Sequence, residues 1–134
     1  MPKIRLNPPE LFPSERYGFS QIVVAQGRKT AYLSGQVGCD EQLRMVDLHD
    51  LGAQARKALE NIETAMRAAG GTRDDIVSLR IYIAGESIKN TAAVTEALTG
   101  FFHPERLPAT SWIGVAALAR PEFLIEIEAV AVLE

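Results

Sequence analysis

Cysteine is nearly absent. Cys39 stands alone in 134 residues, so no disulfide can form within the chain, and a metal centre would need histidine and carboxylates. Histidine is as scarce: His49 and His103 show neither HxH nor HExxH spacing, which leaves structural zinc without support. Basic residues are in deficit, fourteen against seventeen acidic ones. The net charge of -3 lacks the positive footprint that phosphate backbones demand, so nucleic acid is not an expected partner. No apolar run reaches the ~20 residues of a membrane span. The first thirteen residues carry charges and four prolines (Pro2, Pro8, Pro9, Pro13) in place of an apolar signal core. A cytoplasmic protein with no membrane partner is expected. Repeats, low-complexity tracts and Ser/Gly linkers are missing too, so one domain over 1–134 is expected.

What is present is ordinary globular composition, 47% apolar and 23% charged, enough to bury a single core. Residues 21–25 form a short apolar run, and a turn at 27–29 leads into residues 30–37, which predicts a β-hairpin. Alternation over 30–37 puts Thr30, Tyr32, Ser34 and Gln36 on one face and Ala31, Leu33, Gly35 and Val37 on the other. Leu51, Ala55, Leu59, Ile62, Met66 and Ala69 recur at steps of three and four and predict an amphipathic helix. Asp47 is the candidate cap at its start, and Gly70-Gly71 the stop. Residues 75–84 alternate again, with Val77, Leu79, Ile81 and Ile83 facing one way and Ile76, Ser78, Arg80 and Tyr82 the other. Val94, Leu98 and Phe101 predict a second, weaker helix within 87–102, ended by Pro104 and Pro108. Strands follow at 110–117, with Thr110, Trp112, Gly114 and Ala116 on one face, and at 123–133, with Leu124, Glu126, Glu128, Val130 and Val132 together.

The order β-β-α-β-α-β-β predicts an α+β fold, a mixed β-sheet covered by two helices on one face. Val130, Val132, Trp112 and Ala116 then remain on the other face. Symmetric self-association is the expected way to bury them, with sites between subunits.

Several segments carry a resemblance. Tyr17 to Gln21 resembles a Gly-Pro-Tyr-Ser-Gln entry, and Leu33-Ser34-Gly35-Gln36-Val37 a Ser-Gly-Gln-Ile strand. Gln54 to Ile62 with Ala68-Ala69-Gly70 is similar to a Gln-to-Asn-Ile helix with an Ala-Ala-Gly ending. Phe101-Phe102, Leu107-Pro108-Ala109-Thr110-Ser111 and Ile125-Glu126-Ile127-Glu128-Ala129 complete the order. Together they resemble the YjgF/RidA (Rid, reactive intermediate deaminase) family. The resemblance implies a chorismate-mutase-like fold and a homotrimer with a central barrel. It further implies a small-molecule pocket at each subunit interface and cofactor-free hydrolysis of enamines or imines.

The resemblance also implies that Glu126 is the catalytic acid that orients or activates water, and that Phe19, Ser34, Gly35, Thr110, Ser111 and Trp112 line the substrate pocket. Thr110 stands where the family has an arginine that pairs with a substrate carboxylate. A threonine hydroxyl cannot reproduce that bidentate contact, worth about 1.5–3 kcal/mol. The resemblance thus implies a branch without the deaminase arginine. Phe19 replaces the pocket tyrosine, and the helix asparagine falls at Thr95 or Asn90.

Each residue also has a plain structural reading. Glu126 and Glu128 read equally as solvated strand charges, Thr110 and Ser111 as turn residues after Pro108, and Trp112 as core or interface. Arg80 is either a substitute anion-binding group or an ordinary ion-paired arginine. Ser34 lacks a nearby His and Asp and a strand-to-helix elbow, which excludes a serine hydrolase. Cys39, beside Asp40 and Glu41, is expected to be unreactive. Two functions stay open, a C=N hydrolase or a non-catalytic trimer that senses a metabolite or binds proteins; a third, the ribonuclease activity that the resemblance also brings, is disfavoured by the acidic balance and the absence of paired histidines.

Overall fold

The computed structural model describes residues 3–134; Met1 and Pro2, the latter part of the proline-bearing start, lie outside the described residues. The strands are β1 (Ile4–Leu6), β2 (Ile22–Val24), β3 (Lys29–Val37), β4 (Ile76–Ala84), β5 (Ala109–Val115) and β6 (Ile125–Leu133). The helices are α1 (Leu51–Ala68), after β3, and α2 (Thr91–Phe101), after β4. The main sheet runs β3-β6-β4-β5, with β4 and β5 parallel and the other pairs antiparallel. A parallel pair needs a crossover, and α2 supplies it.

Both helices lie on one face, as the periodicity requires. Ala55, Leu59, Ile62 and Met66 of α1 and Val94 and Leu98 of α2 are at most 1% exposed. They meet Leu79, Ile81 and Ile83 of β4 and Ile125, Ile127, Ala129 and Ala131 of β6 in one core. The cap of α1 is Asp50 and not Asp47: Asp50 Oδ1 accepts the Ala53 N–H at 3.0 Å. Asp47 instead accepts the His49 N–H at 2.8 Å in the turn before it. The helix stops at the expected glycines, with Gly70 at φ +87°.

Two polar residues of α1 hold the chain around it. Gln54 is fully buried, and its Nε2 donates to the carbonyls of Asp47 (2.7 Å) and Glu122 (3.1 Å) while Oε1 accepts the Leu124 N–H (3.0 Å). Asn61 Nδ2 donates to the carbonyls of Val37 and Cys39. These bonds give a packing reason for the helix motif read above.

Three expectations are corrected. β2 pairs with β1, Ile4 opposite Val24 and Leu6 opposite Ile22, not with β3 in a hairpin. The reason is that the chain entering β2 is bridged to the start of β5, Ser20 beside Ala109, and β5 lies at the opposite end of the main sheet from β3. Ser34 and Gly35 form a bulge: Leu33 pairs with Ala129 and Gln36 with Ile127, so two residues stand opposite Glu128. The extra residue reverses the alternation, placing Gln36 on the helix side and Val37 opposite Glu126 on the bare face. A second irregularity between Ile76 and Ser78 turns Ile76 into the core, fully buried.

Candidate functional site

The first group of candidate residues gathers at the outer edge of β5. Ser20 bridges to Ala109, its N–H donating to the Pro108 carbonyl at 2.9 Å and its hydroxyl to the Leu107 carbonyl at 2.7 Å. Arg5 Nε also donates to the Leu107 carbonyl, at 3.2 Å, so the β1–β2 ribbon is pinned beside the start of β5. The chain before Ser20 folds into a tight turn in which buried Ser14 donates its hydroxyl to the Phe19 carbonyl at 2.8 Å. Gly18 allows the turn: its φ is +92°, and a Cβ there would stand 2.9 Å from Leu98 Cβ.

This anchoring brings rings together. Phe19 lies 5.8 Å from Trp112, and Phe12 lies 6.0 Å from Phe19 and 6.4 Å from Tyr17, centroid to centroid. With Gln21, Thr110 and Ser111 they line an open cleft of about 500 Å³, within the ~300–1,000 Å³ usual for small-molecule sites. Trp112 Nε1 donates to Thr110 Oγ1 at 3.0 Å. The indole N–H is thereby engaged, while the threonine, accepting that bond, keeps its own proton to donate.

Trp112 is not on the bare face as expected. It pairs with Ile81 and Thr110 with Leu79, both core-facing, so the indole packs on the helix side at the sheet edge. Ser111 and Ile113, opposite Arg80 and Tyr82, face the other way. Ala116 lies beyond the end of β5 in a hollow with Ala84 and Arg120.

Glu126, Ser34 and Gly35 form a second group, on the bare face across β3 and β6. An added Cβ at Gly35 would fall 2.1 Å from Glu126 Oε2, so the missing side chain is what makes room for the carboxylate. Glu128, opposite the bulge, accepts the Tyr82 hydroxyl at 2.7 Å and faces Arg80 Nη1 at 3.8 Å. Donation to Glu128 raises the Tyr82 phenol above its ordinary pKa, with partial desolvation and the Glu128 charge adding to it and Arg80 opposing. Arg80 is thus the ion-paired arginine, and it does not line the Thr110 cleft.

Within one chain the two groups do not meet. β4 separates β5 from β6, two strand spacings of about 4.8 Å, and Glu126 and Thr110 lie on opposite faces of the sheet. Neither Asn90 nor Thr95 lines the cleft. No cluster of three His, Cys, Asp or Glu able to hold a metal occurs among the described residues, and no described helix is long and apolar enough to cross a membrane. Phe12 and Tyr17 were not among the sequence candidates. Their signal was an aromatic concentration: Phe12, Tyr17 and Phe19 fall within eight residues punctuated by Pro13 and Gly18.

A helix-backed mixed sheet with a ring-lined cleft at its edge and a carboxylate over a glycine bulge on its bare face defines a small α+β domain of the chorismate-mutase-like type. Residues 11–133 match the family model described as Endoribonuclease L-PSP, and the chain belongs to this family, also called YjgF/RidA or Rid. It is 37% identical over 101 residues to 2-iminobutanoate/2-iminopropanoate deaminase of Salmonella typhimurium, covering 74% of this chain and 76% of the relative. The protein of that name from Dermatophagoides farinae is 30% identical over 116 residues, 87% of this chain and 86% of its own. Among solved structures, the Rid-family protein YyfB of Yersinia pestis, described as of unknown function, superposes with a TM-score of 0.93 at 39% identity, covering 99% of this chain and 100% of that one. RidA of an Antarctic Psychrobacter gives 0.69 at 31% identity, covering 85% and 87%.

Proposed function

We propose that the protein is a cytoplasmic homotrimer that hydrolyses a C=N bond of a small metabolite, without a cofactor, in clefts between neighbouring copies. The observation that carries this reading is the division of the candidate residues between two faces of one sheet. A closed assembly that buries the bare face, with Tyr32 at 80% exposure in the single chain, would bring Glu126 of one copy towards the Thr110 cleft of the next. The names of the Salmonella and Dermatophagoides relatives support the imine chemistry.

In that reaction the Glu126 carboxylate takes a proton from water as the oxygen attacks the C=N carbon. The π pair moves to nitrogen, which receives the proton, giving a carbinolamine. Its C–N bond then breaks, the hydroxyl proton passing to nitrogen through Glu126, and a carbonyl compound and ammonia leave. Thr110 and Ser111 orient the polar end, and Phe19 and Trp112 shape the wall. With Thr110 at the arginine position, the substrate needs no carboxylate.

Thr110 also favours a second reading, a trimer that binds a metabolite without turning it over, and the likeness to YyfB agrees with it. Ammonia release from enzymatically generated imines separates the two. Glu126→Gln is expected to lower the rate by about 100-fold or more. Release by the wild type no faster than in buffer removes the hydrolase and leaves the binding trimer. A lone subunit in sedimentation at micromolar concentration removes the site between copies.

A further inference from the structure

We infer that the cleft beside Thr110 selects a molecule carrying one aromatic ring and one neutral polar substituent, and rejects its carboxylate counterpart. This deepens the proposed function, and rests on it only in taking the cleft as the end of the site that holds substrate. Four rings, those of Phe12, Tyr17, Phe19 and Trp112, border the same open volume, and three ring contacts between 5.8 and 6.4 Å link them. A flat ring meets such walls in offset or edge contacts that an aliphatic chain cannot match.

The polar groups narrow the class further. The remaining lining residues are Gln21, Thr110 and Ser111; none of the seven is charged, and the charge that the proposed assembly would add, Glu126 of the next copy, is negative and repels an anion. Arg5, whose Nε is engaged by the Leu107 carbonyl, is not among them. Gln21 is held in place by Nε2 donating to the Phe12 carbonyl at 3.0 Å, and Thr110 by the Trp112 indole at 3.0 Å. These groups present neutral donors and acceptors to the cleft. They suit a carbonyl, imine or amide. A carboxylate would give up water without gaining a counter-charge.

Trp112 is the only tryptophan, so intrinsic emission reports on this cleft alone. The full chain is titrated with benzamide and benzoate, which share shape and differ in charge, and with acetamide, which has no ring. Benzamide is expected to change the emission and to bind about tenfold more tightly than benzoate or acetamide. Phe12→Ala, at a side chain 58% exposed and therefore safe for folding, weakens benzamide about threefold. Thr110→Arg moves the preference towards benzoate.

Benzoate binding at least as tightly as benzamide overturns the inference, as does silent Trp112 emission with every ring compound. Ring-selective binding with no ammonia release sinks the hydrolase and leaves the inference standing. Ammonia release from imines with no preference for a ring does the reverse.

Discussion

Replacing Gln54 by methionine keeps the length and approximate volume of the side chain and deletes its hydrogen bonds. Two carbonyls, of Asp47 and Glu122, lose a donor at 2.7 and 3.1 Å, and the Leu124 N–H loses an acceptor at 3.0 Å. The side chain is fully buried, but Asp47 is exposed and Glu122 half-buried, so their carbonyls can turn towards water. Counting about 1 kcal/mol for each of the three lost bonds gives a loss of about 3 kcal/mol. Against a domain stability of about 5–15 kcal/mol, that is a large fraction. Urea unfolding followed by Trp112 emission, wild type and variant at equal protomer concentration, should show the midpoint lowered by about 1–2 M with an unchanged slope. Because Leu124 leads into β6 two residues before Glu126, ammonia release should fall as well. A midpoint within error of wild type would refute the reasoning, since it would mean that these bonds do not hold the entry to β6.

Gly35→Ala places a Cβ 2.1 Å from Glu126 Oε2, and the carboxylate must retreat by about 1 Å or more, a displacement that costs on the order of 100-fold in rate. Folding is spared because the obstructing atoms are the far end of a flexible side chain; full C=N hydrolysis by a folded Gly35→Ala protein would exclude Glu126 as the working carboxylate. The raised pKa of Tyr82 predicts an alkaline effect: the folded value lies above the unfolded one of about 10, so its stabilising contribution is complete below that pH and is lost as pH rises through the folded value. Tyrosinate absorbance should show one of the three tyrosines titrating last, and Tyr82→Phe should remove that phase. Equal titration of all three argues against the bond to Glu128.

The elements themselves were largely readable, because helices and strands declare themselves through local period. The α1 stripe from Leu51 to Met66 and the alternation of Leu79, Ile81 and Ile83 needed no knowledge of the rest of the chain. What local period could not supply was each strand's partner. β2 looked like half of a hairpin with β3 because a turn separates them, yet the chain entering β2 is bridged to β5, about ninety residues later and at the opposite end of the sheet from β3. Period also cannot register an inserted residue. The bulge at Ser34-Gly35 leaves the residue pattern untouched while sending Gln36 to the helix side and Val37 to the bare face.

The candidate site divides the same way. The order of motifs placed Glu126, Thr110 and Trp112 in a family and assigned them a common purpose, and composition removed disulfides, clustered metal ligands and nucleic acid from consideration before any coordinate was known. Those are properties of residue identity and short spacing, which the linear chain carries whole. Folding alone put Phe12 and Tyr17 against Trp112, gave the indole proton to Thr110, and set Glu126 on the opposite face from the cleft it is expected to serve. Each of these depends on which distant backbone groups pair across a sheet, and that choice is made by the packing of the whole core.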